Sequence, residues 1–478
     1  MTTVLNIALA IALRLVLCYL VIRDKNVQET AMAWVLLMFL LPVTGFILYL
    51  VFGKDYRRAK VRDYVHSEAY RRLKEEISPE DARVYFPEGI PESTDAFLRP
   101  LMRLNMASGN GNCLYSGNKL EIIKSGARKK ELLVEDIRAA SHSIHLEYFR
   151  FDNDDSGILI RDLLIEKASE GVEVRFLLNS FVAIAIPRSF WKPLEKAGVE
   201  VVRFTSLKQG LRLFLMRLNC QQHRKIVVID GHIGYMGGMN INDNYFNHWR
   251  DTHLRMEGPA VAALQASFLD TWISCKGTVE KPLGDYFHPA KSFEGGKTVQ
   301  IVSDESDYPW PSTQMAYEWV LENAREYVYF QTPYFVPPVS FLTALKSAAL
   351  RGVDVRIMLS KKVDTPLLGS FNRGYYAECL EAGVRIIEAG GEFNHSKTMV
   401  ADDSVCVVGA TNLDVRSFTI NSEINAFVYD HDIASDFKKD FLERLKNSTE
   451  WDLQSWLKER TFWKDLGSRL VRLFYREF

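Results

Sequence analysis

Hydrophobic side chains gather in two long runs at the start of the chain and then recur as short apolar blocks between polar segments. Ala31 to Phe52 holds no charge over 22 residues, enough to cross about 30 Å of hydrocarbon at about 1.5 Å per residue. Pro42 and Gly45 are expected to kink that span without forbidding it. Val4 to Ile22 is of similar length but carries Asn6 and Arg14, and a charge at mid-span costs about 2.5–3.5 kcal/mol on insertion scales. Met1 to Thr3 has no basic residue, and no small-residue cleavage pattern follows Ile22, so a removable leader is not the reading. A retained two-helix transmembrane hairpin is expected over residues 1–53. Arg23 to Thr30 holds two basic residues and Gly53 to Lys74 holds eight. Positive-inside bias therefore places everything after Phe52 in the cytoplasm, on the inner face of a cell membrane crossed more than once.

Residues 54–113 read as a basic linker without a chemical motif, ending in SGNGNC (Ser108 to Cys113). From Leu114 the pattern becomes α/β, and its second part echoes its first. Helix-like ELLVEDIRAA (Glu131 to Ala140) precedes strand-like SIHLEYF (Ser143 to Phe149), as MAYEWVLENA (Met315 to Ala324) precedes YVYFQTPYF (Tyr327 to Phe335). GVEVRFLL (Gly171 to Leu178) matches GVDVRIML (Gly352 to Leu359), and AGVEVV (Ala197 to Val202) matches AGVRII (Ala382 to Ile387). Each is a Val/Ile-rich run after a glycine that ends a helix, as buried strands of α/β units are. Three matches in one order imply a duplicated domain. The units are expected at 114–285 and 286–478, with the seam near Gly284 to Gly296, where Pro and Gly gather before TVQIV (Thr298 to Val302).

Composition narrows the function classes. The 478 residues exceed one ordinary core. Lys plus Arg (59) balance Asp plus Glu (60), which disfavours a nucleic-acid partner. Six scattered cysteines show neither a disulfide framework nor zinc spacing and suit a reducing compartment.

The chemistry-bearing signal closes each repeat. His223, Lys225, Asp230, Gly237, Gly238 and Asn240 give HxKxxxxD followed by GGxN; His395, Lys397, Asp402, Gly409, Ala410 and Asn412 repeat the spacing with one Ala. IVVID and MVADD suggest a strand entering a tight turn, so that His and Lys, two apart, share a face. Asn240 and Asn412 return on the next strand, where an amide can donate to a phosphate oxygen. Asp230 and Asp402 are read as serving the turn. Asp251 and Glu423 stand 28 residues after the histidine of their own repeat. A carboxylate on Nδ1–H would fix the tautomer and free Nε2 to attack.

Both motifs resemble the HKD signature of the phospholipase D superfamily. With the two leading apolar runs and YLVFGK (Tyr49 to Lys54), the chain is similar to the bacterial cardiolipin synthases. That resemblance implies two tandem α/β domains, each a mixed sheet flanked by helices, about a pseudo-twofold axis with one shared site. It also implies His223, Lys225, Asp230, His395, Lys397 and Asp402 as the catalytic set. The implied reaction moves a phosphatidyl group between two phosphatidylglycerol molecules through a phosphohistidine, releasing glycerol. By analogy His223 is the nucleophile and His395 the acid/base, although the duplication allows the reverse. No acidic cluster has divalent-metal spacing and no DGxxAR signature occurs, so neither metal nor cofactor is expected. Water in place of an alcohol would make a hydrolase, and nucleic acid a nuclease; HKD spacing encodes neither choice. Leu207 to Leu218, with Lys208, Arg212 and Arg217, and Trp456 to Phe478, with Arg469, Arg472 and Arg476, have the basic-apolar pattern of helices at an anionic bilayer, although the first stretch suits an ordinary core-facing helix equally well. Aromatic loops at Phe190-Trp191 and Tyr308 to Pro311 could shape acyl or glycerol pockets, but loop aromatics usually lack such a role.

Overall fold

The computed structural model describes residues 2–24, 28–53 and 95–459, apart from short gaps at 110–111, 180–185, 210, 276, 289–290, 306–307 and 365, together with scattered positions between 72 and 90. Much of the basic linker and the tail from 460 onward, with its three arginines, therefore lie outside the described residues.

The strands of the first repeat are β1 (Leu114–Ile123), β2 (Ser143–Tyr148), β3 (Glu173–Leu178), β4 (Glu200–Arg203), β5 (Lys225–Ile229), β6 (Ile233–Gly237) and β7 (His253–Glu257). Those of the second are β8 (Lys297–Asp304), β9 (Tyr327–Gln331), β10 (Phe335–Val336), β11 (Asp354–Ser360), β12 (Arg385–Ala389), β13 (Thr398–Ala401), β14 (Val405–Gly409), β15 (Leu413–Asp414), β16 (Glu423–Val428) and β17 (Ser448–Trp451). The first half is ordered β1-β7-β6-β5-β2-β3-β4 and the second β8-β16-β14-β13-β9-β11-β12-β17, with β10 and β15 in a small ribbon apart. The orders match, as duplication requires. β2, β3 and β4 run parallel, and β1, β5, β6 and β7 antiparallel.

Where β1 pairs antiparallel with β8, the halves merge into one 15-stranded sheet. The helices Gly126–Ala139 and Ser312–Asn323 stand at the expected places. The strands they precede are buried along their whole length, which is why these read as continuous apolar runs. Gly171, Gly198, Gly352 and Gly383 end their helices at φ between +90° and +94°, a conformation that favours glycine. One hydrophobic cluster is common to both halves: Ile226, Val228 and Leu254 pack with Val400, Ile424 and Ala426. Phe190 and Trp191 lie on the helix Arg188–Lys196 inside the first half's core, which corrects their reading as pocket-shaping loop residues.

Two further expectations change. The apolar run after Ala31 is not one helix: the chain breaks at Leu41 (φ −130°) before Pro42, giving α2 (Gln28–Leu40), α3 (Pro42–Leu48) and a wide turn, Tyr49–Gly53. Proline lacks the N–H a helix interior needs. Among the described residues no helix is long and apolar enough to cross a membrane. α1 (Thr2–Asp24) folds back on α2, with Leu17 and Val21 against Trp34 and Met38. Arg14 Nε donates to the Phe39 carbonyl at 3.0 Å, one of the last-turn acceptors that a helix end leaves open. Arg217, read as a lipid-facing cation, is instead buried and donates to the Phe204 carbonyl and Gln209, each at 2.9 Å.

Arg224, wholly buried beside the seam, reaches both halves. It donates to Ser267 (2.9 Å), Thr271 (3.1 Å), Ser303 (2.8 Å) and the Glu423 carbonyl (3.3 Å), and pairs with Glu305. Removing one partner of a buried, hydrogen-bonded ion pair costs about 3–5 kcal/mol. Arg224→Ala is expected to lower the denaturant midpoint by that equivalent, with both halves still unfolding in one transition; a midpoint within error of wild type would contradict this.

Candidate active site

The histidines lie just before their strands rather than in them. The segment carrying His223 forms a parallel bridge between Gln222 and Ser422, and the segment carrying His395 one between Arg250 and Asn394. His223 N–H donates to the Ser422 carbonyl at 3.0 Å, and His395 N–H to the Arg250 carbonyl at 2.7 Å. Ser422 and Arg250 each directly precede an acid, so each bridge delivers that acid to the histidine of the opposite repeat. His223 Nδ1 lies 2.9 Å and 3.0 Å from the oxygens of Glu423; His395 Nδ1 lies 2.7 Å from Asp251 Oδ2. The equal spacing of 28 residues suggests pairing within a repeat, and the structure corrects this to a crossed pairing. A carboxylate on Nδ1 assigns it the proton and leaves Nε2 as an acceptor.

Both lysines fall beside their histidines, as period-two geometry requires. Lys397 Nζ is 2.7 Å from His395 Nδ1 and 3.1 Å from Nε2, and Lys225 Nζ donates to the His223 carbonyl at 2.5 Å. Asp230 and Asp402 sit at the far ends of β5 and β13, a strand's length from the imidazoles, at φ 51° and 47°. Asp230 accepts from the N–H groups of Ser141, His142 and Ser143 at 2.7–2.8 Å, and Asp402 from those of Arg325, Glu326 and Tyr327 at 2.8–3.0 Å. They hold the start of β2 and β9, and their inclusion in the catalytic set is corrected to this turn-fixing role.

His223, His395, Asn240 and Asn412 line one cavity of about 450 Å³ between the halves. Asn240 Oδ1 accepts from Arg150 N–H (3.0 Å) and its amide donates to Tyr245 OH (2.9 Å); Asn412 donates to Ser417 at 3.4 Å. The surroundings of the two rings differ. His395 is packed by Tyr245, Trp249 and Phe393, and Tyr245 OH lies 3.4 Å from it. His223 meets the edge of Phe149 and is more open, at 12% side-chain exposure against 6%. Sequence reasoning missed Tyr245, Arg150 and Arg416, because no motif spans them. It also missed Lys129, a wholly buried cation that donates to the Met239 carbonyl at 2.7 Å, just before Asn240.

Burial dominates the electrostatics. It drives His223 well below an ordinary imidazole and His395 down to about 4, with the neighbouring lysines adding to both shifts. Burial also pushes Lys225 down to about 7 and Lys397 down to about 8, against the pull of the acids, and Glu423 up to about 8. At neutral pH both rings are uncharged. The lysines are poised to gain from an anion placed between them. Among the described residues no group of three or more His, Cys, Asp or Glu converges as a metal site.

The family model described as "Cardiolipin synthase, PLD-like domain" matches residues 133–272 and 319–445, and a "Phospholipase_D-nuclease N-terminal" model matches residues 5–54. The chain therefore belongs to the cardiolipin synthase family of phospholipase D-like enzymes. "Major cardiolipin synthase ClsA" of Bacillus subtilis is 34% identical, covering 98% of this chain and 96% of that protein. A "Cardiolipin synthase" of Listeria innocua is 33% identical over 94% of this chain and 95% of its own. Among solved structures, a phosphatidylserine synthase of Haemophilus influenzae superposes with a TM-score of 0.59 at 15% identity, covering 80% of this chain and 98% of that one. That likeness carries the fold.

Gly238 touches the crossed pairing directly. A Cβ there would collide with the Asp251 carboxylate, whereas the second repeat carries Ala410 beside the longer Glu423. Gly238→Ala is expected to displace Asp251 and lower turnover of a lipid phosphodiester about a hundredfold. Adding Asp251→Glu, which recreates the second repeat's combination, is expected to recover at least tenfold. Wild-type turnover in Gly238→Ala alone would refute the argument.

Proposed function

We propose that the protein is a cardiolipin synthase, transferring a phosphatidyl group from one phosphatidylglycerol to the glycerol hydroxyl of another. The observation that carries this reading is the crossed pair of His–carboxylate units in one cavity, in a chain whose relatives over nearly its whole length bear that name. The negative charge of the entering phosphate favours the imidazolium of His395, which then carries a proton on Nε2. His223 Nε2 attacks phosphorus, forming a P–N bond as the P–O bond to glycerol breaks, and that Nε2 proton of His395 passes to the departing oxygen. His395 then takes the proton from the incoming hydroxyl, whose oxygen forms the new P–O bond while the P–N bond breaks. The greater openness of His223 supports its role as nucleophile, and the aromatic packing of His395 supports it as the acid/base. Lys225, Lys397, Asn240 and Asn412 stabilise the non-bridging oxygens. Glu423 orients His223 and Asp251 orients His395.

We further propose that residues 1–53 anchor the enzyme in the cell membrane, with the units 114–285 and 286–478 on its cytoplasmic side. Support comes from the outer surface of the hairpin, where Leu15, Met32, Leu40 and Val43 are all exposed. The hairpin's last turn packs on the helix Leu211–Asn219, and Asn219 donates to the Phe52 carbonyl at 3.5 Å. Leu211, at the start of that helix, and Leu207, just before it, are exposed as well. Membrane phospholipids are the partners in this reading, and Arg416, which lines the cavity, donates to Asn219 at the anchor contact.

Purified protein in phosphatidylglycerol vesicles should yield cardiolipin and glycerol, and His223→Ala and His395→Ala should each lose transfer while remaining folded. Phosphatidic acid as the sole product would make it a hydrolase, and DNA degradation faster than lipid transfer a nuclease. The pH dependence has a definite sign. Lysines whose pKa is depressed to about 7 and about 8 lose their charge as pH rises through those values, and with it their attraction for phosphate. kcat/KM for phosphatidylglycerol is therefore expected to fall between pH 7 and 9, chiefly through KM; a profile flat across that interval would contradict the role of the lysines.

A further inference from the structure

The cavity has unlike ends although its walls descend from one repeat. Arg150, after β2, corresponds to Tyr334 after β9, and Tyr245 corresponds to Ser417. Beside His395 these differences make a polar cluster that the transfer chemistry above does not use. Tyr334 OH donates to Asp364 Oδ1 at 2.6 Å, and its ring stands 6.4 Å from the His395 ring at 86°. Arg150 is turned by two bonds from Nε to Asp152, at 3.0 Å and 2.8 Å, and lies close enough to feel the charge of Asp364. Arg150, Tyr334 and Asp364 all line the cavity.

A carboxylate is a poor companion for a phosphodiester anion, because like charges repel, but a good acceptor for alcohol hydroxyls. The two lipids of the reaction differ in this respect. The phosphate of the donor lies between the histidines. The acceptor must bring a hydroxyl to His395 while its second hydroxyl and its own phosphate stay nearby. A carboxylate and a guanidinium lining one cavity match a polyol that carries a phosphodiester.

Resting on the transferase reading, we propose that Asp364, anchored by Tyr334, and Arg150 form the acceptor subsite. Asp364 takes the spare hydroxyl of the incoming phosphatidylglycerol and Arg150 its phosphate. The remaining hydroxyl gives its proton to His395 and its oxygen to phosphorus as the bond to His223 breaks. These residues thus choose a lipid alcohol over water or a small alcohol, a discrimination that hydrogen-bonding sites achieve by leaving their groups unpaired with the wrong partner.

The test is competition between acceptors. The full chain, in phosphatidylglycerol vesicles containing ethanol, partitions the phosphatidyl group among cardiolipin, phosphatidylethanol and phosphatidic acid. Asp364→Asn and Arg150→Gln are expected to lower the cardiolipin-to-phosphatidylethanol ratio about tenfold, and Tyr334→Phe less but in the same direction. A ratio within about twofold of wild type, whether total turnover falls or not, overturns the subsite. If Arg150→Gln does not accumulate as folded protein, Asp364→Asn decides alone, because its side chain is exposed. A wild-type chain that makes only phosphatidic acid would overturn the transferase reading itself, a result seen before any substitution is compared.

Discussion

Each buried imidazole is held through Nδ1 by a carboxylate from the opposite repeat, and most of the architecture serves that exchange. The bridges at Gln222–Ser422 and Arg250–Asn394 deliver the acids. The β1–β8 pairing and the common cluster beneath it keep the two halves in register. Arg224 ties the same region from behind, with bonds to residues on both sides of the seam. A hinge at this seam would break both histidine pairs at once, because each pair spans it.

The site is electrostatically incomplete when empty. Two lysines and two acids are removed from water, and that desolvation lowers the lysines, against the pull of the nearby acids, and raises Glu423. An anionic phosphodiester favours the charged form of the lysines and, at His395, the imidazolium that the first proton transfer needs. Binding and activation are therefore one event. Asp251 leaves the His395 ring a single proton tautomer before substrate arrives, and Glu423 does the same for His223 once it is ionised, which is the preorganisation that acid–base chemistry needs.

The repeat, its strands and the helix-ending glycines were legible because buried strands and left-handed turns impose narrow residue choices. Period two likewise placed Lys beside His, and the turn role of Asp230 and Asp402 followed from residue type. The crossed pairing was not legible. A spacing of 28 residues records where an acid lies along its own chain segment, and duplication makes the acid of either repeat an equally good partner. The break at Leu41 was readable as a kink at Pro42 but not as an end to α2, because hydropathy counts apolar residues and not unpaired N–H groups. Arg150, Tyr245, Tyr334 and Asp364 converge from separate loops, and no local pattern announces that. Trp191, prominent in sequence, proved to be ordinary core.

The crossing also bears on ancestry. One half alone offers a histidine lacking its own acid and an acid lacking its own histidine, so a solitary unit of this design completes the pairing only as a symmetric pair of identical subunits. Fusion into a single polypeptide kept the swap intact and lifted the symmetry requirement. Each side was then free to drift, and an Arg on one flank could face a Tyr on the other. A homodimer must present two identical mouths to two identical guests, whereas the fused form can specialise one side for the lipid that gives and the other for the lipid that receives.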